Sequence, residues 1–476
     1  MEPTLVHEPR MNLRRPPTHA LGHAFALWLA LAVAAPAAHA HGPDDFEAPA
    51  ARVPARTLVI QRIEFAGLSR TPVERAERAA ALTLPATASV EVIESATARL
   101  RSSGLFRAID VRTKPGDEPG QIVLVFDVQE SRPHLRFGLG YEDFSSWYVM
   151  PAQLNADNLT GHGEALRLSA RVGYRVAGLD LTLRRPAGES ALDFWELRLR
   201  GESVDRIYYL DSTETRHHLD RGGVDLRIGR AIGRSLAMEA WIGAENTKPD
   251  SSAYVYSDRA SLGRNKGDEV PFASLPPQIQ RDLGERGQGR LGAALVLDRR
   301  AGAGMEMHGA WARASGEGAY SELGDFASWQ ADARAYAAVA PGVQLAARLR
   351  AGAVSAGAPF YERFSVGGLY TVRGYPSQSL SPPQGTLNLG AASVELRHVW
   401  WGPSSNPRFT GIAFLDGATG WNRAAPSTRD ISWGAGFGVR ARVPWLGQVG
   451  IDVARPLSRS PVDEAFHVNG SLGWAF

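Results

Sequence analysis

From residue 134 to the C-terminus, short stretches of alternating apolar and polar residues recur, and this period of two constrains the fold more than any other feature. Leu166, Leu168, Ala170 and Val172 alternate with Arg167, Ser169 and Arg171. Trp195, Leu197 and Leu199 alternate with Glu196, Arg198 and Arg200, and Phe437, Val439, Ala441 and Val443 with Gly438, Arg440 and Arg442. Side chains in a strand point to opposite faces in turn, so each stretch has one apolar and one charged face. A soluble sandwich also alternates, but here arginine and glutamate fill the polar face strand after strand. That suits lipid outside and a hydrated lumen inside. Sixteen such segments begin near 134, 147, 163, 176, 191, 218, 234, 288, 305, 328, 342, 387, 408, 432, 447 and 465. The expected fold is an all-β, 16-stranded antiparallel transmembrane barrel over 133–476.

Connection lengths give a separate check. Short turns such as Pro186-Ala187-Gly188 and Pro341-Gly342 follow even-numbered segments, while the long excursions 247–287 and 354–386 follow the seventh and eleventh. Long loops therefore fall on one side of the sheet and short turns on the other. Excursions of that length would be odd in a compact soluble domain. A mean hydropathy of −0.20 is too polar for a bundle of membrane helices. The formal charge of +2 argues against nucleic acid as a partner, which would require a basic face. The chain has no cysteine, so disulfides, thiolate nucleophiles and cysteine-zinc sites are excluded.

The N-terminus reads as an export signal over 1–40. Arg14 and Arg15 precede an apolar stretch, residues 24–37, and Ala38-His39-Ala40 offers a cleavage site before His41. The apolar stretch is shorter than the ~20 residues a spanning helix needs. Met11 is an alternative start to Met1. Residues 41–56, rich in proline and alanine, read as a linker.

Residues 57–131 carry a compact β-α-α-β-β pattern. The segment 57–65 reads as a strand. Ser69 and Thr71 are expected to cap a helix through Leu82, with Pro72 in its first turn. Ser89 starts a second helix, in which Val92, Ile93, Ala96 and Leu100 keep helical spacing, and Gly104 ends it. Residues 106–112 and 121–129 read as two further strands joined by a turn at Pro115-Gly116. This order, with Gly104-Leu105-Phe106 leading into a strand and Phe126-Asp127-Val128-Gln129-Glu130 closing the unit, resembles a POTRA domain. The resemblance implies that the exposed edge of its second strand, Ala108, Ile109, Asp110 and Val111 on to Thr113, accepts an extended client chain by β-augmentation.

The excursion 354–386 contains Phe364-Ser365-Val366-Gly367-Gly368 and then Tyr370-Thr371-Val372-Arg373-Gly374-Tyr375. The run Val372, Arg373, Gly374, Tyr375 closely resembles the loop motif of the BamA/TamA and two-partner-secretion superfamily, whose sixth outer loop folds back into the lumen. There the arginine pairs with an acid in a strand motif F-x-D-x-G. Phe414-Leu415-Asp416-Gly417-Ala418 matches it, apart from Ala418 in place of the last glycine. The resemblance thus implies that Asp416, beside Phe414, receives Arg373 from the thirteenth strand. Glu395, one strand away, is a second candidate. A guanidinium in a lumen requires such a partner, because an unpaired buried charge is costly.

The chain ends Gly470-Ser471-Leu472-Gly473-Trp474-Ala475-Phe476. Trp474 and Phe476 match the terminal aromatic signal read during barrel assembly. In insertases of this superfamily the last strand pairs weakly with the first, here about 135–141. Gly138, Gly140, Gly470 and Gly473 would weaken that seam and let it open sideways toward a client strand.

Gly434-Ala435-Gly436-Phe437-Gly438 lacks the following helix of a dinucleotide loop. His217-His218 falls in an expected outer loop without a fitting ligand set. No catalytic residue, cofactor or metal is expected, and the chain is not read as an enzyme. Three functions stay open: insertion or translocation of outer-membrane proteins, a two-partner-type secretion pore, and a passive channel or surface antigen. The secretion family usually carries two POTRA domains and a plug helix, for which 41–56 is too short. The partners implied are unfolded outer-membrane or secreted polypeptides, outer-membrane lipid and periplasmic accessory proteins. The implied location is the outer membrane of a Gram-negative bacterium, with the POTRA-like unit in the periplasm.

Overall fold

The computed structural model describes residues 58–131, 133–136, 139–141, 147–173, 176–187, 193–233, 235–255, 267–423, 426–444, 447–459 and 465–472. The expected export signal and linker lie outside the described residues, as do Gly138, Gly473, Trp474 and Phe476.

The α/β domain runs β1 (Val59–Ala66), α1 (Val73–Ala80), β2 (Ala86–Thr87), α2 (Val90–Ser102), β3 (Phe106–Pro115) and β4 (Gln121–Glu130). Its sheet order is β2-β1-β4-β3, with β1 parallel to β4 and β3 antiparallel to it. Both helices bury small or aliphatic residues (Ala76, Ala80, Ala96, Leu100) against Ile60, Leu124 and Phe126 of the sheet. The Ser89 hydroxyl accepts the Val92 N–H at 3.2 Å and caps α2. The first helix departs from expectation. It stops at Ala80, where Ala81 turns left-handed, and Pro72 at its N-cap makes no side-chain bond. Ser69 and Thr71 do not cap it: their backbone N–H groups go to the Glu130 carboxylate instead. The two-residue β2, which escapes a sequence reading by its shortness, adds an edge to the sheet beside β1.

The wall begins with β5 (His134–Arg136) and β6 (Leu139–Tyr141), which share β7 as partner and count as one strand. It continues with β7 (Trp147–Asp157), β8 (Ala165–Gly173), β9 (Val176–Pro186), β10 (Phe194–Leu210), β11 (Thr213–Ala231) and β12 (Leu236–Val255). A short β13 (Glu269–Val270) pairs with the far end of β12. Then come β14 (Arg286–Asp298), β15 (Gly309–Tyr320), β16 (Phe326–Ala340), β17 (Val343–Val354), β18 (Asn388–Trp401), β19 (Phe409–Trp421), β20 (Ser432–Val443), β21 (Gly447–Pro456) and β22 (His467–Leu472). With β5 and β6 taken together and β13 set aside, the wall has sixteen antiparallel strands, and it closes where β22 lies beside β5.

The apolar faces point outward. Ile228, Ile242, Leu291, Trp329, Phe437 and Ile451 are all more than half exposed. An aqueous surface would not carry such a belt, but a lipid-facing wall requires it. No helix among the described residues is long and apolar enough to cross a membrane. Trp400 and Trp401, exposed at the end of β18 nearer the α/β domain, supply aromatic residues at that rim.

The sixth wall strand starts at Thr213, five residues before the expected 218, and β12 runs on to Val255, inside the expected 247–287 loop. Strands β10, β11 and β12 have 17, 19 and 20 residues, where ~9–11 suffice to cross a bilayer. Their far ends stand clear of the lipid, lose the outward apolar residues and so read as loop in the sequence. His217 and His218 accordingly sit in β11 and not in a loop.

Candidate functional site: a loop locked across the lumen

Between β17 and β18 the chain folds into the barrel. Gly367, Gly368 and Gly374 all have positive φ (115°, 91° and 99°), which lets the segment turn back on itself. Alternation then decides which wall residues it meets. In β18 Ser393, Glu395 and Arg397 share the lumenal face, in β19 Phe414 and Asp416, in β20 Arg440 and in β21 Asp452.

Arg373 is 1% exposed, and its contacts account for the whole guanidinium. Its Nε donates to Asp416 Oδ2 at 2.7 Å and its Nη2 to Asp416 Oδ1 at 2.8 Å, a two-pronged pairing. Its Nη1 donates to Glu395 Oε1 at 2.8 Å and to Asp452 Oδ2 at 3.3 Å. Its backbone N–H also donates to Asp416, at 3.0 Å, and the guanidinium lies 3.5 Å over the Phe414 ring. Glu395 accepts from Arg397 at 2.7 Å, and Asp452 from Arg440 at 2.7 Å. Three buried arginines thus meet three buried carboxylates, so the cluster is charge-balanced. Balance of this kind is what a desolvated site demands.

The neighbouring motif residues anchor the same turn. Val372 is fully buried against Leu389 and Ala418. The Tyr375 hydroxyl donates to Trp433 O at 3.0 Å and accepts the Ser458 N–H at 3.2 Å. Ala418, where the motif has glycine, packs in the same apolar cluster as Val372 and Tyr375. Glycines on β20 make room for all this. A Cβ on Gly434 would meet the Arg373 carbonyl oxygen at 1.9 Å, and one on Gly436 would meet the Phe414 ring at 2.7 Å. Gly434 therefore seats the loop, and Gly436 makes room for the Phe414 ring under the guanidinium.

Sequence reasoning identified Arg373, Asp416 and Glu395 as candidates but passed over Asp452, Arg440, Arg397, Ser393 and Gly434. The signal for Asp452 was legible: an acid inside the otherwise apolar run Val449-Gly450-Ile451-Asp452-Val453.

The other expected sites are placed as follows. Gly470 lies on β22 opposite Ile451, and Gly140 on β6 opposite Tyr148, so these two flank the closing seam. Ala108, Ile109, Asp110 and Val111 lie on β3, which pairs with β4 alone among the described strands. Its other edge therefore presents unpaired backbone groups.

The α/β domain meets the wall at the turn after β7. Asn158 Nδ2 donates to Thr71 Oγ1 at 2.8 Å, and a Cβ on Gly161 would strike the Arg70 carbonyl oxygen at 2.2 Å. Behind this contact Glu130 accepts the N–H groups of Ser69, Arg70 and Thr71 at 3.1, 2.9 and 2.7 Å, and the Ser69 hydroxyl at 2.6 Å. Burial alone would raise this carboxyl. The Ser69 hydroxyl and the three N–H groups more than offset it and hold Glu130 well below the usual carboxylate range.

On the outer face of the tall strands Ser203 Oγ lies 2.8 Å from His218 Nε2, and Asp205 Oδ1 2.8 Å from His218 Nδ1. The sequence resembles a nucleophile relay, but Ser203 also donates to Asp220 at 2.7 Å. A carboxylate against the nucleophile opposes the negative charge that develops in acyl transfer. The cluster is cross-strand polar pairing: Asp220 lies opposite Ser203, and His218 opposite Asp205. His217 faces inward and meets the Asp250 carbonyl oxygen at 2.6 Å. No group of three potential metal ligands occurs among the described residues.

Residues 158–476 match the family model described as the Omp85 superfamily domain. The chain belongs to the Omp85 superfamily. Its fold is similar to BamA from Haemophilus ducreyi lacking POTRA domains 1–3, at 16% identity and a TM-score of 0.60, over 87% of this chain and 84% of that one. It is also similar to CdiB from Acinetobacter baumannii (12% identity, TM-score 0.56, 87% and 73% covered). For CdiB from Escherichia coli the figures are 12%, 0.53, 89% and 92%. No curated protein matches the chain in sequence. As an Omp85 barrel the chain is an outer-membrane β-barrel, and the superfamily read from Val372-Arg373-Gly374-Tyr375 is the one the comparisons give.

Proposed function

We propose that this chain is an outer-membrane assembly factor that inserts or translocates other polypeptides. In this reading the α/β domain is a POTRA domain in the periplasm. Its β3 edge captures an extended client segment, and the seam between β22 and β5 then templates the client's strands. The observation that carries it is the locked loop. Its Arg373-Asp416 pairing is the one that the superfamily motif implies, and it holds the loop across the lumen. With its own loop lying across the lumen, the chain has the β3 edge and the seam as the surfaces that would offer backbone pairing to a client.

The test is reconstitution of the purified protein in liposomes with unfolded barrel clients. Client folding is expected to accelerate. The acceleration is expected to vanish when 134–141 is disulfide-locked to 465–472, a clean manipulation in a chain without native cysteine. No acceleration with any client would sink the proposal. The second reading, a secretion pore, has in its favour the 92% coverage of the Escherichia coli CdiB chain. Release of a soluble passenger across the liposome wall, without faster client folding, would select it.

A further inference from the structure

The locked loop has a second attachment on the opposite arc of the wall. Glu362 pairs with Arg221 of β11 and, at 2.9 Å, with Arg290 of β14. Beside it the Arg363 carbonyl accepts from Arg206 at 3.2 Å. Phe360 is fully buried among Tyr208, Leu219, Ala253 and Ile279, with its ring 5.3 Å from that of His217. Its N–H donates at 2.8 Å to Asp282, at the C-cap of the short helix α3 (Pro277–Arg281) in the neighbouring excursion. Glu362 is thus held by the sixth and eighth wall strands, and Arg373 by the twelfth, thirteenth and fifteenth. The segment between them bars the lumen from side to side.

The two ends are unequally held. Withdrawing Arg373 would leave Asp416 with no cation in the described network, deep in the wall. Withdrawing Glu362 leaves both of its salt-bridged arginines paired, while Arg206 loses the Arg363 carbonyl. Arg221 keeps Glu245 at 2.9 Å, and Arg290 keeps Glu245 and Glu317, each at 2.9 Å. Glu362 and its two arginines are 10–19% exposed, against 0–2% for Arg373 and its acids. Water therefore already reaches this end, and desolvation holds it less tightly.

We infer that Glu362 is the release end of the crossbar. The lumen opens by withdrawal of Glu362 and Phe360 from the β11–β14 arc, carrying the Asp282 contact along, while the loop pivots about Arg373, which stays paired. Glu362 is a positioning residue that sets the closed state, and the inference holds whether clients are inserted or secreted.

The experiment is single-channel recording of the full-length protein in planar bilayers. Unmodified protein is expected to stay mostly closed. Glu362→Gln is expected to raise the open-to-closed ratio about tenfold, the factor ~1.4 kcal/mol corresponds to, with an unchanged heat-modifiable band on gels. Phe360→Ala, which removes the apolar half of the same attachment, is expected to open the pore without touching any charge. If both variants fold and stay as closed as the unmodified protein, the inference is overturned. Frequent openings in the unmodified protein, unchanged by either variant, would overturn it equally. Client-folding assays are a separate readout, so failure of the assembly proposal leaves this result standing.

Discussion

The Arg373 cluster and the Glu130 junction solve the same problem, a buried charge, in opposite ways. Arg373 meets charge with charge: three carboxylates, themselves paired with two further arginines. Glu130 meets its charge chiefly with backbone N–H groups. The difference follows from what each site joins. The lock ties Arg373 to three separate strands, so its partners must be side chains reaching from all of them. The junction ties one carboxylate to a single turn, whose successive N–H groups already point one way. Charge-to-charge pairing gives strength but depends on every member. Backbone pairing depends on one residue and on pH.

The largest effect is expected at the lock. Arg373→Ala leaves three buried carboxylates with two arginines, and Asp416→Ala leaves the reverse imbalance. Each is expected to cost ~3–5 kcal/mol, read as a lower temperature at which the folded gel band disappears. In a double-mutant cycle the pair should cost much less than the sum. Additive losses would mean that the two side chains do not act together.

A smaller effect tests the seat without touching charge. Gly434→Ala puts a methyl group where the Arg373 carbonyl lies and is expected to cost ~1–3 kcal/mol, with protease sensitivity rising in 355–387. Gly201→Ala, where nothing lies within 4 Å of the added atom, is the control and is expected to be silent. Equal effects would show that the wall tolerates the loop loosely.

The smallest effect belongs to the junction. The Glu130 pKa is depressed in the folded state, so on acidification the unfolded chain takes up its proton first. The stabilisation, ~1–3 kcal/mol, is whole at neutral pH. It begins to drain once pH falls below the ordinary glutamate value of ~4.3 and is lost only in strong acid. Glu130→Gln removes this acid dependence, so both proteins should converge at low pH in protease accessibility of the Asn158–Thr71 contact. A difference that persists into strong acid would assign the effect to shape instead of charge.

What the sequence shows of each region differs for the same reason. The strands were legible because alternation is local, and fourteen of the sixteen starts fall within three residues of expectation. The sixth strand, five residues early, and the ninth, four late, miss where polar or glycine-rich residues blur the pattern. Arg373 and Asp416 follow from the motif resemblance, and Glu395 from its place on the neighbouring strand. Asp452 stands out in the sequence only as an acid in an apolar run; its meeting with Arg373, 79 residues earlier, depends on how the last strands close the circle, and Arg440 joins the cluster only through Asp452. Ser69 and Thr71 read as helix caps in the sequence because serine and threonine so often are. Glu130, sixty residues on, out-competes that local preference with a full charge.

The order of the lock's parts along the chain sets when it can form. Arg373 precedes every residue that holds it, and the last of them, Asp452, lies on the penultimate wall strand. A nascent or truncated chain that stops short of β21 carries the key without a complete keyhole, its cation unbalanced and its loop unseated. The crossbar thus works as a completeness check, engaging fully only once the wall is nearly whole.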